Sequence, residues 1–132
     1  MRLGAIVIDS DDPKGLAEFY KELLGWILEV QYSSGERWII VKSPNGTNIE
    51  TPLVFQYDEN YERPTWPTKN LEQQQMLHLD FYVSADKYAE KIEHAISCGA
   101  IRSETQFSEN WTVMLDPSEH PFCIIPIPEG GE

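Results

Sequence analysis

The sequence predicts an α+β fold built from two βαβββ modules in tandem. Three observations predict it. An apolar, β-branched run, a capped amphipathic stretch and three strand-like runs occur once in the first half of the chain and again in the second. A shift of 73 residues lays Leu16, Phe19 and Leu23 on Ala89, Ile92 and Ile96, so the helix faces coincide. Within residues 76–83, Leu77, Leu79, Phe81 and Val83 alternate with His78, Asp80 and Tyr82, as a strand with two different faces does. Eight strands from two such modules make a curved mixed sheet, a cup-like half-barrel, with the helices on its outer face.

Residues 3–8, Leu-Gly-Ala-Ile-Val-Ile, read as the first strand. Asp12 followed by Pro13 is a helix start, a side-chain oxygen for the open N–H groups and then a residue with preset φ. Leu16, Phe19, Tyr20, Leu23 and Leu24 recur at helical spacing, and Gly25 stops the helix. Residues 26–32 and 37–41 read as strands joined by a turn at Ser33-Ser34-Gly35-Glu36, with a second turn at Ser43-Pro44-Asn45-Gly46 and a fourth strand at 53–57. Residues 58–75 are polar and carry Pro64-Thr65-Trp66-Pro67, which reads as a connector with a fixed centre where Trp66 packs. Residues 76–83 are then a strand, Ser84 and Asp86 open a helix with Ala85, Tyr88, Ala89, Ile92, Ala95 and Ile96 on its apolar face, and Gly99 ends it. Strands follow at 100–106, 111–115 and 122–125, with turns at Asn110 and at Asp116-Pro117-Ser118-Glu119. The organisation is thus a single domain over 1–132, with module 1 at 1–57, the connector at 58–75 and module 2 at 76–132.

Composition narrows the function. At 132 residues and 41% hydrophobic the chain can bury a core. Its net charge of −12 repels nucleic-acid backbones and anionic membranes, and suits neutral or cationic small molecules as well as plain solubility. No stretch is apolar enough for a membrane span, and the N-terminus turns acidic too early for a signal peptide. Two cysteines far apart, Cys98 and Cys123, read as reduced thiols of a cytoplasmic protein.

The candidate chemistry lies on the polar face of residues 76–83. His78, Asp80 and Tyr82 point away from Leu77, Leu79, Phe81 and Val83, and so towards the concave side of the sheet. Cys123 reads as a small strand residue, His120 as a turn residue bonded locally, and His94 as an exposed helix residue. Trp66 and Trp111 suit either a core or the mouth of a pocket. No phosphate-binding loop, nucleotide fingerprint or Ser-His-Asp order is present.

Taken in order, Asp11-Asp12-Pro13, Phe19-Tyr20-Lys21-Glu22-Leu23-Leu24-Gly25, Pro64-Thr65-Trp66-Pro67, Met76-Leu77-His78-Leu79-Asp80-Phe81 and Trp111-Thr112-Val113-Met114-Leu115-Asp116-Pro117 resemble the vicinal oxygen chelate superfamily, and within it the glyoxalase-like subgroup. That superfamily includes glyoxalase I, the bleomycin-resistance proteins and the extradiol dioxygenases. The resemblance implies a divalent metal held by four side chains, His or Gln and Glu, near Ala5, Gln56, His78 and Cys123 here. Ala5 has no donor, Gln56 is a neutral one, and a thiol stands where relatives place a Glu. Glu119 stands where relatives more often have Gly, a position that tolerates positive φ.

These readings predict a small-molecule-binding protein of the glyoxalase and bleomycin-resistance type. Its pocket residues are Gln56, His78, Asp80, Tyr82, Trp111 and Cys123. No cofactor and no metal are expected; a divalent metal, if held, would use His78 and Gln56. The alternative is a lyase or isomerase acting next to a carbonyl, with His78 as catalytic base or ligand. The resemblance also implies a homodimer.

Overall fold

The computed structural model describes residues 1–33, 36–44 and 50–128. The chain divides into two compact units, Met1–Tyr61 and Glu62–Glu132. Each is a βαβββ module with a four-stranded mixed sheet.

In the first unit, β1 (Ile6–Ser10) leads into α1 (Pro13–Leu24), followed by β2 (Ile27–Ser33), β3 (Glu36–Lys42) and β4 (Leu53–Tyr57). The sheet order is β1-β4-β3-β2, with β1 parallel to β4 and the other pairs antiparallel. The helix starts and stops where the sequence predicts. Asp12 accepts from the Gly15 N–H at 3.2 Å, Pro13 opens the first turn, and Gly25 closes the helix at φ 68°. Leu16, Phe19 and Tyr20 are buried on the sheet, and the Tyr20 ring stacks on Phe55 at 5.6 Å. The first strand begins later than the apolar run suggests. Leu3 and Gly4 lie outside the ladder and are exposed, while Asp9 and Ser10 pair with Gln56 and Tyr57. Ser10 is tolerated there, fully buried, because its Oγ accepts the Asp12 N–H at 2.9 Å. The predicted turns at 33–36 and 43–46 fall partly on Ser34, Gly35, Asn45 and Gly46, outside the described residues.

The second unit repeats the topology. Its strands are β5 (Leu79–Ser84), β6 (Ile101–Arg102), β7 (Thr112–Leu115) and β8 (Pro121–Ile127), in the order β5-β8-β7-β6, with β5 parallel to β8. A 3₁₀ turn, Ala85–Lys87, precedes α2 (Tyr88–Cys98), which ends at Gly99. The apolar face of α2 is narrower than predicted. Ile92 and Ala95 are buried, but Ala85, Ala89 and Ile96 are exposed, and a Tyr88–Thr112 hydroxyl bond ties the helix to β7. His94 is half-buried rather than exposed, with its ring against Cys98 Sγ at 3.8 Å. Met76 and Leu77 stay outside β5 and exposed, so His78 immediately precedes the ladder instead of standing within it.

The predicted strand at 100–106 shrinks to two residues because a side chain replaces the backbone partner. Gln106 accepts the Val113 N–H at 2.8 Å and donates to the carbonyls of Val113 and Ser103 at 2.9 and 2.8 Å. The amide mimics a strand and releases the chain into the 103–111 loop.

The two modules correspond through their ladders. Leu53 pairs with both Ile6 and Val41, and Phe122 pairs with both Leu79 and Met114. Ile6 and Leu79 therefore correspond, as do Val41 and Met114, each 73 residues apart, the shift read from the helix faces. Leu28 corresponds to Arg102 and Gly25 to Gly99, each 74 apart. One residue enters before the helix stop and is given back before the third strand of the module.

The turn from β7 to β8 is built on Asp116, whose side chain is fully buried. Its Oδ1 accepts the N–H groups of Ser118 and His120 at 2.9 and 3.0 Å, and the His120 ring lies 2.9 Å from Oδ2. This holds Glu119 at φ 70°, a left-handed conformation that costs a non-glycine residue about 1 kcal/mol. His120 is thus a local turn residue, as the sequence suggests. Replacing Asp12 by Ala removes one helix cap and is expected to cost about 1 kcal/mol in urea unfolding. Asp116→Ala strips several buried donors at once and is expected to cost about 3 kcal/mol; equal losses for the two variants would contradict this account of the turn.

Candidate functional site

In a parallel ladder, residues in register lie side by side on one face. Asp80 on β5 is in register with Cys123 on β8, and Cys123 in turn with Val113 on β7. His78, two residues before Asp80, shares that face. One donor atom from each of His78, Asp80 and Cys123 lies within 4.8 Å of the other two. His78 Nε2 is 3.2 Å from Asp80 Oδ1, with both side chains a little over 40% exposed. Cys123 is 7% exposed.

The trio forms one wall of an open cavity of about 450 Å³ in the second unit. Val113 and Ile125 continue the sheet surface beside it. Trp66, Phe107 and Trp111 supply the aromatic lining. Trp66 reaches the cavity from the connector, which is folded back on itself by a Thr65 N–H bond to the Gln73 carbonyl at 2.8 Å. Its ring meets Phe107 edge to face at 5.8 Å. Its Nε1 is buried without a partner among the described residues. The pocket is an apolar, aromatic chamber with its polar groups confined to one patch, the usual make-up of a small-molecule site.

Cys123 is held protonated. Burial, then the negative charge of Asp80, then the hydrogen bond to that carboxylate push its thiol from an ordinary 9.0 up to about 11. A thiol in that state is a poor nucleophile, because the thiolate is the reactive form.

Of the sequence-predicted pocket residues, the structure brings His78, Asp80, Trp111 and Cys123 together. Tyr82 shares their face and is exposed, but its register partner Ile125, not Tyr82 itself, lines the cavity. Gln56 is exposed on β4 of the first unit, in register with Asp9. The correspondence between modules sharpens its position. The first-module counterparts of His78, Asp80 and Cys123 are Ala5, Val7 and Val54, while Gln56 corresponds to Ile125. The polar trio therefore has an entirely apolar counterpart. Phe107, Val113 and Ile125 were not among the pocket residues the sequence predicts. Phe107 sat just beyond a segment read as strand, and only the Gln106 side-chain pairing turns it into a cavity wall.

A family model for the glyoxalase-like domain matches residues 5–125. The chain belongs to this family. Its fold is that of the glyoxalase, bleomycin-resistance and dioxygenase proteins. A glyoxalase/bleomycin resistance protein/dioxygenase family enzyme from Burkholderia phytofirmans is 19% identical, with 96% of this chain and 99% of that one covered at a TM-score of 0.65. The fosfomycin resistance protein FosX from Listeria monocytogenes, complexed with Mn(II) and 1S,2S-dihydroxypropylphosphonic acid, is 14% identical, with 94% and 88% covered at 0.63. The antibiotic-binding protein TnmS3 from a Streptomyces species is 15% identical, with 96% and 95% covered at 0.61. No curated protein sequence matches significantly.

The four-ligand metal arrangement that the family resemblance implies does not fit this glyoxalase-like chain. Ala5 offers no donor, Gln56 is neutral, and Cys123 replaces a carboxylate. A hard cation prefers carboxylate oxygens, and that set contains none.

The protonated state of Cys123 is directly measurable. Its alkylation rate in the pure protein, followed by peptide mass spectrometry, is expected to stay low through pH 8 and climb only towards pH 11. At neutral pH its thiolate is about a hundredfold scarcer than that of an ordinary thiol. Asp80→Asn removes the adjacent charge and is expected to shift the rise to lower pH; an unchanged profile would contradict the Asp80–Cys123 coupling.

Proposed function

We propose that the protein binds a small organic molecule in the cavity of its second module. The observation that carries this reading is the pairing of an aromatic-lined cavity with a single polar patch of His78, Asp80 and Cys123. Trp66, Phe107 and Trp111 offer flat apolar surfaces to a planar ligand, and a cavity of about 450 Å³ is in the range that accommodates one. His78 and Asp80 supply a donor and an acceptor that fix its orientation. The acidic chain favours a neutral or cationic ligand over an anion. Among proteins of this fold, one is described as antibiotic-binding and one as a fosfomycin resistance protein, in keeping with capture of a small molecule.

Ligand capture accounts for this patch better than covalent chemistry does, since Cys123 is held protonated. A thermal-shift screen of planar neutral and cationic compounds tests the reading. A ligand at a hundred times its Kd adds about 2.7 kcal/mol of stability. The shift is expected to collapse in Trp111→Ala and in His78→Ala, and to persist in Gln56→Ala. A hit that both pocket variants bind unchanged would place the site elsewhere. Turnover of a carbonyl-bearing hit that stops in His78→Gln would replace the binding reading with a base-catalysed lyase or isomerase.

A further inference from the structure

We propose that the molecule bound in the second-module cavity carries a quaternary ammonium group, seated in the corner between Trp66 and Phe107 and facing the charge of Asp80. This rests on the pocket reading above and names the chemical class that the pocket takes. Asp80 is the one carboxylate among the described cavity walls, and no lysine or arginine stands with it. An anion therefore finds no permanent positive charge there. A cation finds a carboxylate that is more than one-third exposed, in walls that are otherwise largely apolar. Cys123 is held protonated and adds no charge of its own. The net charge of −12 draws cations towards the chain as a whole.

The hydrogen bonds already made decide what kind of cation fits. His78 Nε2 lies 3.2 Å from Asp80 Oδ1, and the Cys123 thiol is hydrogen-bonded to the same carboxylate. An ammonium group with N–H bonds gives up water on entry and needs several acceptors in return. The side chains of Trp66, Phe107, Trp111, Val113 and Ile125 offer none. A quaternary ammonium has no N–H to satisfy. It asks only for a nearby negative charge and for polarisable surface, and the faces of aromatic rings attract it.

The shape of the corner favours the same group. The Trp66 and Phe107 rings meet at 89° with centroids 5.8 Å apart. Rings at right angles touch a rounded head on two sides, whereas parallel rings would form a slot for a flat one. Trp111 and the rest of the cavity of about 450 Å³ remain for the planar part of the molecule. Both walls of the corner are braced. The connector that carries Trp66 is closed by the Thr65–Gln73 backbone bond and tied to the β7–β8 turn by Arg63, which donates to the Pro117 carbonyl at 3.3 Å. Phe107 follows Gln106, whose amide is bonded to the Val113 backbone in both directions. A preformed corner binds without the cost of ordering its walls.

Choline is the probe. It is compared with the uncharged alcohol in which carbon replaces the choline nitrogen, and with ethanolamine, which keeps the charge without the methyl groups. Each is titrated into the isotope-labelled full chain at constant ionic strength, and the Trp66 indole N–H and the backbone N–H of Phe107 are followed by NMR. Saturable shifts with choline are expected at both, with the two comparison compounds about tenfold weaker. Asp80→Asn, which keeps the shape of the side chain, is expected to weaken choline about fivefold and to leave the alcohol unchanged, the second result showing that the walls are intact. Phe107→Leu keeps apolar bulk without the ring and is expected to weaken choline as well. Equal binding of choline and the alcohol, choline binding unaffected by Asp80→Asn, or no saturable choline shift at either signal would each overturn the ammonium assignment. A neutral compound from the thermal-shift screen that binds through Trp111 and His78 while choline does not removes the ammonium group and leaves the pocket. Choline shifts confined to the first module remove both.

Discussion

The site depends on one register, the parallel pairing of β5 with β8 that sets Asp80 beside Cys123. Adjacent strands lie about 4.8 Å apart and alternate residues of one strand about 6.6 Å apart. Those two spacings place His78, Asp80 and Cys123 at the corners of a small triangle on one face. A slip of a single residue would turn Cys123 into the core and bring a neighbouring apolar side chain against Asp80. The register is secured from the other face, where Phe122 is fully buried against the Phe81 ring and pairs with Met114 on β7. Core packing on the helix side thus holds the polar triangle on the open side.

The triangle is electrostatically poised. Cys123 is nearly buried and lies next to a carboxylate, so its proton is held firmly; His78 sits within contact distance of the same carboxylate. Asp80 is the centre of the arrangement, touching both partners. A cationic ligand that neutralises Asp80 acts on the other two donors at the same time.

The modular duplication and both helix stops were legible in the sequence, because helix faces and capping residues are local signals. So were His78 and Asp80 as residues of one face. The strand ends were less so. Apolar composition placed strands at 3–8 and 76–83, but pairing partners decide where a ladder begins, and β1 runs on through Asp9 and Ser10. The strand at 100–106 was misread because Gln106 is ordinary in composition, and only the fold reveals its amide acting as a strand partner. The contact of Asp80 with Cys123 spans more than forty residues of sequence and needed the register of β8. Without it, Asp80 could be placed on the face of His78 but its reach to Cys123 could not be read.

The central claim is that recognition belongs to the second module alone. Backbone amide NMR of the full chain, titrated with a compound found by thermal shift, tests it most directly. The account predicts that the largest shift changes cluster at His78, Asp80, Trp111, Val113 and Cys123, with Val7, Val54 and Gln56 little affected. Changes centred on Val7, Val54 and Gln56, or spread evenly over both modules, would contradict it.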